Sequence, residues 1–103
     1  MSDKRLALSV RQPYAEQIMK GTKKIEYRTK NTTIRGRIYV YASLKPGPGA
    51  SSGLPTGVII GSVEIVKCTL SQGTYHWHLA NPRRLARHRK PVRQPQPVWF
   101  YPW

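Results

Sequence analysis

Acidic residues are scarce in this chain: Asp3, Glu16, Glu26 and Glu64 are the only four, against 18 lysines and arginines in 103 residues. With a formal charge of +14, the chain repels itself unless a polyanion neutralises it, and nucleic acid is the first partner to expect. Beyond Glu64 no acidic side chain occurs, while Lys67, Arg83, Arg84, Arg87, Arg89, Lys90 and Arg93 all lie there. That half carries the stronger positive field. Cysteine is nearly missing as well: Cys68 stands alone, so no disulfide forms within the chain and a reducing cytoplasm is the expected compartment. No apolar run reaches the ~18 residues of a membrane-spanning helix, and no amphipathic basic helix of useful length stands out. The apolar stretch before Arg11 is too short for a secretory leader. A membrane partner is not expected.

What is present suffices for one core. Hydrophobic residues make up 39%, ten of the side chains being aromatic, and a chain of this length buries roughly 60–70% of its unfolded surface. A single domain over residues 1–103 follows, with a monomer as the expected state. Leu6 to Val10 reads as a strand, and Gln12-Pro13 opens a helix, because proline is tolerated at a first helical position where its missing N–H costs nothing. Tyr14, Ala15, Ile18 and Met19 share one helical face, and Gly21 supplies a left-handed C-terminal cap.

Lys23 to Thr29 alternates Ile25 and Tyr27 with Lys24, Glu26 and Arg28, which predicts a strand with Ile25 and Tyr27 toward the core and the charged face outward. Arg37 to Ser43 and Val58 to Lys67 read as further strands, with Gly61 permitting a bulge or close packing. Residues 46–57, PGPGASSGLPTG, lack the side chains to offset ordering entropy and form a loop. Thr74 to Leu79 alternates Tyr75, Trp77 and Leu79 with His76 and His78, another strand, which Asn81-Pro82 is expected to end. A helical turn is expected around Leu85 and Ala86. The prolines of residues 91–103 restrict that tail to extended or edge-strand structure.

The most specific passage is LSVRQPYAEQIMKGTKKIEYR. In the order strand, Arg11-Gln12-Pro13-Tyr14-Ala15, short helix, then Gly21, Lys23, Glu26 and Arg28, it resembles the ASCH domain of the PUA-like superfamily, and HWHLANPRRL resembles the aromatic strand with which many such domains close. The resemblance implies an α+β fold, a mixed β pseudo-barrel of five or six strands with one or two short helices. It further implies a cleft lined by the motif lysine, glutamate and arginine, and a role connected with RNA. The loop at 46–57 and the tail fit it least well.

The residues themselves agree. Strand parity puts Glu26 and Arg28 on one face, about 7 Å apart along the backbone, and Lys23 can swing toward them. Lys23 and Arg28 suit phosphate or base-edge contacts, with Arg11 extending the cleft, while Glu26 accepts from an exocyclic amine or orients Lys23. The alternative is a solvated charged face whose Glu26–Arg28 pair contributes about 0–1 kcal/mol. An enzyme is the competing functional class. Lys23 and Glu26 could act together in hydrolysis, as a ribonuclease or as the amidohydrolase branch of the family that acts on N4-acetylcytidine. That branch, however, pairs its lysine with a threonine and a downstream glutamate. Glu26 stands in the threonine's place here, and no carboxylate follows Glu64.

His76 and His78 share one side of a strand, but two histidines are half a metal site, so no metal or other cofactor is expected. They suit a base or phosphate contact beside the cleft. Among the aromatics, Tyr14 and Trp77 are the candidates for stacking on an unpaired base, which favours single-stranded RNA or a nucleotide over a closed duplex. Arg83, Arg84 and Arg87 belong to a run of six cations within eleven residues, a candidate phosphate-tracking patch or else a merely solvated edge.

Overall fold

The computed structural model describes residues 4–49 and 53–103. Strand β1, Ala7–Val10, pairs in parallel with β3, Gly36–Ala42, so that Leu8 faces Val40 and Val10 faces Ala42. Between them lie helix α1, Tyr14–Lys20, and strand β2, Ile25–Arg28. Strands β4, Val58–Ser71, and β5, Thr74–Arg89, form a long antiparallel hairpin, and the tail adds β6, Trp99–Phe100. The six strands run in the order β2-β5-β4-β3-β1-β6. One short helix beside one mixed sheet is the α+β arrangement the sequence implied.

Both faces of the sheet are covered, which the alternation in β3 makes possible. Ile38 and Val40 join Leu8, Val10, Ile18, Val63 and Trp77 in the main core, while Tyr39 and Tyr41 turn to a second cluster with Ala7, Ile59 and Phe100. Each of these large buried side chains contributes about 1.5–3 kcal/mol over its exposed state. The tail seals the second cluster, since Trp103 packs edge-on against Tyr39 at 5.2 Å and Phe100 against Tyr41 at 5.2 Å.

Gly21 ends α1 as expected, with φ of 79° and its N–H donating to the Ile18 carbonyl at 3.0 Å. Gly61 is the place where helix and hairpin meet. A Cβ there would lie far inside contact distance of Met19 Sδ and the Arg83 carbonyl oxygen, so only glycine lets the three approach.

Two expectations about β5 are overturned. Asn81-Pro82 does not end the strand, and the stretch around Leu85 and Ala86 is not helical, because β5 continues to Arg89. The pairing explains why: Glu64 faces Ala80 and Ser62 faces Arg83, leaving Asn81 and Pro82 as a bulge opposite Val63. Asn81 takes a φ of 53°, which asparagine tolerates better than most residues, and a bulge is where a proline without an N–H costs no ladder bond. The hairpin turns on Gln72 and Gly73, both with positive φ, the geometry that matches strand twist.

Candidate functional site

Strand β2 lies at one edge of the sheet, antiparallel to β5, with Glu26 opposite Trp77 and Tyr27 opposite His76. Its orientation is the reverse of the one predicted. Glu26 is 7% exposed and Tyr27 56% exposed, so the charged face turns inward and the tyrosine outward. A buried carboxylate is costly unless it is paired and hydrogen-bonded, and this one is both. Arg28 Nε donates to Glu26 Oε2 at 3.0 Å, and Arg28 Nη2 donates to the same oxygen. Lys23 Nζ stands 3.6 Å from Oε1.

Each partner is itself fixed. Arg28 Nη2 also donates to the Ser9 carbonyl at 3.0 Å, which ties β2 across to β1, and its guanidinium carbon lies 5.5 Å from the centre of the Trp77 ring. The Lys23 backbone N–H donates to the Gln17 carbonyl at 3.1 Å, so the lysine leaves directly from the helix cap. Its ammonium then sits 5.2 Å from the Tyr14 ring centre and 5.0 Å from that of Tyr27, within the range of cation–π attraction.

These side chains, with Arg11, border a cleft of about 620 Å³. Arg11 and Tyr14 are exposed at its rim, whereas Lys23 and Arg28 are largely enclosed. Three cations and one carboxylate therefore line a cavity of small-ligand size.

Residues 8–90 match the ASCH domain family. The chain belongs to it. ASCH domains are PUA-like domains, a group linked to RNA binding. The human protein Activating signal cointegrator 1 is 33% identical over 84 residues, and the match takes in 63% of this chain but only 14% of that protein's length. Among solved structures, an ASCH protein from Zymomonas mobilis superposes with a TM-score of 0.71 at 16% identity, over 95% of this chain and 87% of that one. A tyrosine-to-phenylalanine mutant of the same protein gives 0.71 at 15% identity, over 96% and 90% of the two chains. At such identity the likeness is one of fold.

The other sequence candidates of this ASCH domain are placed elsewhere. His76 and His78 do not line the cleft: His76 packs edge-on behind the cleft residue Tyr27 at 4.9 Å, and His78 Nε2 is 2.9 Å from Thr69 Oγ1. Desolvation, with help from Lys67 and His76, lowers the His78 pKa. Among the described residues no group of three His, Cys, Asp or Glu side chains is positioned to hold a metal, and no helix is long and apolar enough to cross a membrane. Trp77 is 2% exposed; its indole N–H donates to the Lys30 carbonyl at 3.0 Å, and its ring stacks on Trp99 at 5.7 Å with the planes 9° apart. It backs Arg28, and of the two stacking candidates it is Tyr14 that faces solvent.

The arginines of the run have different surroundings. Arg84 turns to the helix and forms a two-pronged pair with Glu16, at 2.8 and 2.9 Å. That hydrogen-bonded pair holds the Glu16 pKa below its ordinary value and raises that of Arg84. Arg83 and Arg87 lie exposed along β5.

Five contributors escaped the sequence reading. Ser9, Val10, Tyr27, Ser43 and Pro97 also border the cleft, and nothing in composition or spacing singles them out as site residues. Gln12 has a structural part as well. Its side chain is buried and donates through Nε2 to the Pro55 carbonyl at 2.9 Å, while its Oε1 accepts from the Glu16 N–H at 2.9 Å. The Gln12 carbonyl accepts from the Gly47 N–H at 2.7 Å. Both ends of the loop at 46–57 are thereby tied to the start of α1, and the Gln-Pro step of the motif is an anchor for that loop.

Proposed function

We propose that this ASCH domain binds single-stranded RNA or a nucleotide in the cleft between β1, β2 and the start of α1. The observation that carries the reading is the enclosure of Glu26 by Lys23 and Arg28 at the floor of a cavity whose rim holds Arg11 and Tyr14. Phosphate is the ligand group best suited to cations in excess over carboxylate. Tyr14 at the rim offers a ring for an unpaired base. Glu26 has two parts: Oε2 holds Arg28, and Oε1, with only the longer contact to Lys23, accepts from an exocyclic amine. Arg83 and Arg87 add a second, sequence-independent contribution along β5.

Titration of a fluorescent single-stranded RNA tests this. Lys23→Ala and Arg11→Ala should each weaken binding severalfold with the fold retained. Unchanged affinity in both would remove the cleft from the account. Hydrolysis is a second reading, favoured by the Lys23–Glu26 contact alone: acylated cytidine or RNA incubated with the protein should then turn over, and Lys23→Ala should abolish turnover without unfolding the domain.

A further inference from the structure

The cleft continues at both ends. Past Arg28 it opens into a chamber of about 500 Å³ between Lys30 and Asn31 on one side and Pro97 to Trp99 on the other. Past Arg11 it opens into one of about 300 Å³ beside Lys45, Gln94 and Gln96. The spaces adjoin through shared walls: Arg28 and Pro97 line both the central chamber and the first neighbour, Ser9, Arg11, Ser43 and Pro97 line both the central chamber and the second, and the two outer chambers share Pro97 alone. Residues 94–99 of the tail contribute to the walls of the trench throughout, and Ser9 pins them by donating from Oγ to the Gln96 carbonyl at 2.8 Å and from its backbone N–H to the Val98 carbonyl at 2.9 Å.

Charge and polarity along this trench follow a pattern. An arginine stands at each junction, Arg28 at one and Arg11 at the other, and a lysine stands in each outer chamber, Lys30 and Lys45. Arg28 reaches Glu26 and Ser9 through Nε and Nη2; among the described residues its Nη1 makes no hydrogen bond to protein. The outer chambers offer groups that bases use. Trp99 is half-buried against Trp77 on one side, and the exposed amides of Gln94 and Gln96 stand on the other.

We infer that the occupant of this trench is a run of three consecutive nucleotides of single-stranded RNA, one per chamber, with the two phosphates between them at Arg28 and Arg11. This rests on the RNA-binding reading and goes further, because a lone nucleotide fills only the middle. The physical reason is the alternation itself: a strand presents charge, base, charge, base at a fixed repeat, and the trench presents cation, chamber, cation, chamber. A closed duplex has no access to such a slot, since its bases are not free to leave the stack.

The test is affinity against length, measured by calorimetry with uridine 5′-monophosphate and with oligouridylates of two, three and six nucleotides at one low salt concentration. Each step up to three should tighten binding roughly fivefold or more; the step from three to six should add only the small statistical gain of extra registers. Lys30→Ala and Lys45→Ala, both exposed positions outside the central chamber, should each weaken the trinucleotide severalfold and leave the monophosphate unchanged. A trinucleotide that binds no tighter than the monophosphate overturns the three-chamber assignment while the central site stands. Affinity that climbs evenly through six overturns it too, in favour of a diffuse basic surface. If neither monophosphate nor oligomer binds, the trench assignment falls together with the reading beneath it.

Discussion

Arg28 holds two strands and one carboxylate with a single guanidinium: it pairs with Glu26 on its own strand and donates to the carbonyl of Ser9 on β1 at 3.0 Å. Strands β2 and β1 are not neighbours in the sheet order, so this contact ties the β2 edge to a distant strand of the sheet, beside the cleft that both line. Arg28→Lys keeps the charge but loses the fork that makes both contacts at once. It should lower stability by about 1–3 kcal/mol, because an enclosed carboxylate then has its pairing reduced. Urea unfolding of the two proteins under identical conditions checks this; equal midpoints would show that the Ser9 contact carries no weight.

Glu26 gives a test with two opposing directions. Electrostatics alone predicts that Glu26→Ala, by adding one net positive charge, tightens RNA binding. The geometry predicts the reverse. Without Glu26, Lys23 and Arg28 lose the group that positions them, and the amine acceptor is gone. Weaker binding by severalfold, measured on protein shown to be folded by circular dichroism, is the expected result.

The Glu16–Arg84 pair makes a pH-dependent contribution. The Glu16 carboxyl is held below its ordinary value of 4.5, first by the hydrogen bond from Arg84 and also by the charges of Arg84, Lys20 and His88. A carboxyl whose folded pKa is depressed stabilises the fold above its unfolded value, and that stability is lost as pH falls through the folded value. Glu16→Gln should therefore be less stable than the parent at neutral pH, and the difference should shrink as pH drops below about 4.5. With Arg84 substantially exposed, the effect at neutral pH is at most about 1 kcal/mol. Thermal unfolding of both proteins across pH 2–7 reads it directly.

Gly61→Ala is expected to be among the most damaging of small substitutions. Two of the three atoms its Cβ meets are backbone, the Arg83 oxygen and the Arg84 Cα, which move only if the hairpin moves. Overpacking of this kind costs about 1–3 kcal/mol or more, to be read as a lower urea midpoint.

Much of this architecture is legible in the sequence, and the exceptions have physical causes. The motif from Arg11 to Arg28 identifies the fold and gathers five of the cleft's side chains, since residues close in sequence stay close across a seven-residue helix. Parity correctly places Glu26 and Arg28 on one face. It fails to say which face is inward, because hydrophobicity favours burying Ile25 and Tyr27, while the Ser9 carbonyl and the Trp77 ring, both distant in sequence, hold Arg28 on the inward face. The Arg-rich half of β5 reads as a helix or a loop by itself; its strand form depends on pairing with distant residues of β4, Ser62 with Arg83 and Ile59 with Arg89. The tail looks like an appendage in sequence, yet Pro97 walls the cleft and Trp103 covers the core.

The most direct measurement is the salt dependence of single-stranded RNA binding for the parent, for Lys23→Ala and for the Arg83→Ala/Arg87→Ala double variant. Arg84 is left in place, because removing it would also unpair Glu16. The logarithm of affinity should fall linearly with that of salt, with a slope of about 0.7 per phosphate contacted on a single strand. Lys23→Ala should weaken binding by more than the loss of one such contact explains, at every salt concentration, while the double variant lowers the slope by about 1.4 and keeps most of the affinity at high salt. Normal binding by Lys23→Ala together with failure of the double variant would contradict the account, and would place RNA on the β5 edge instead of in the cleft.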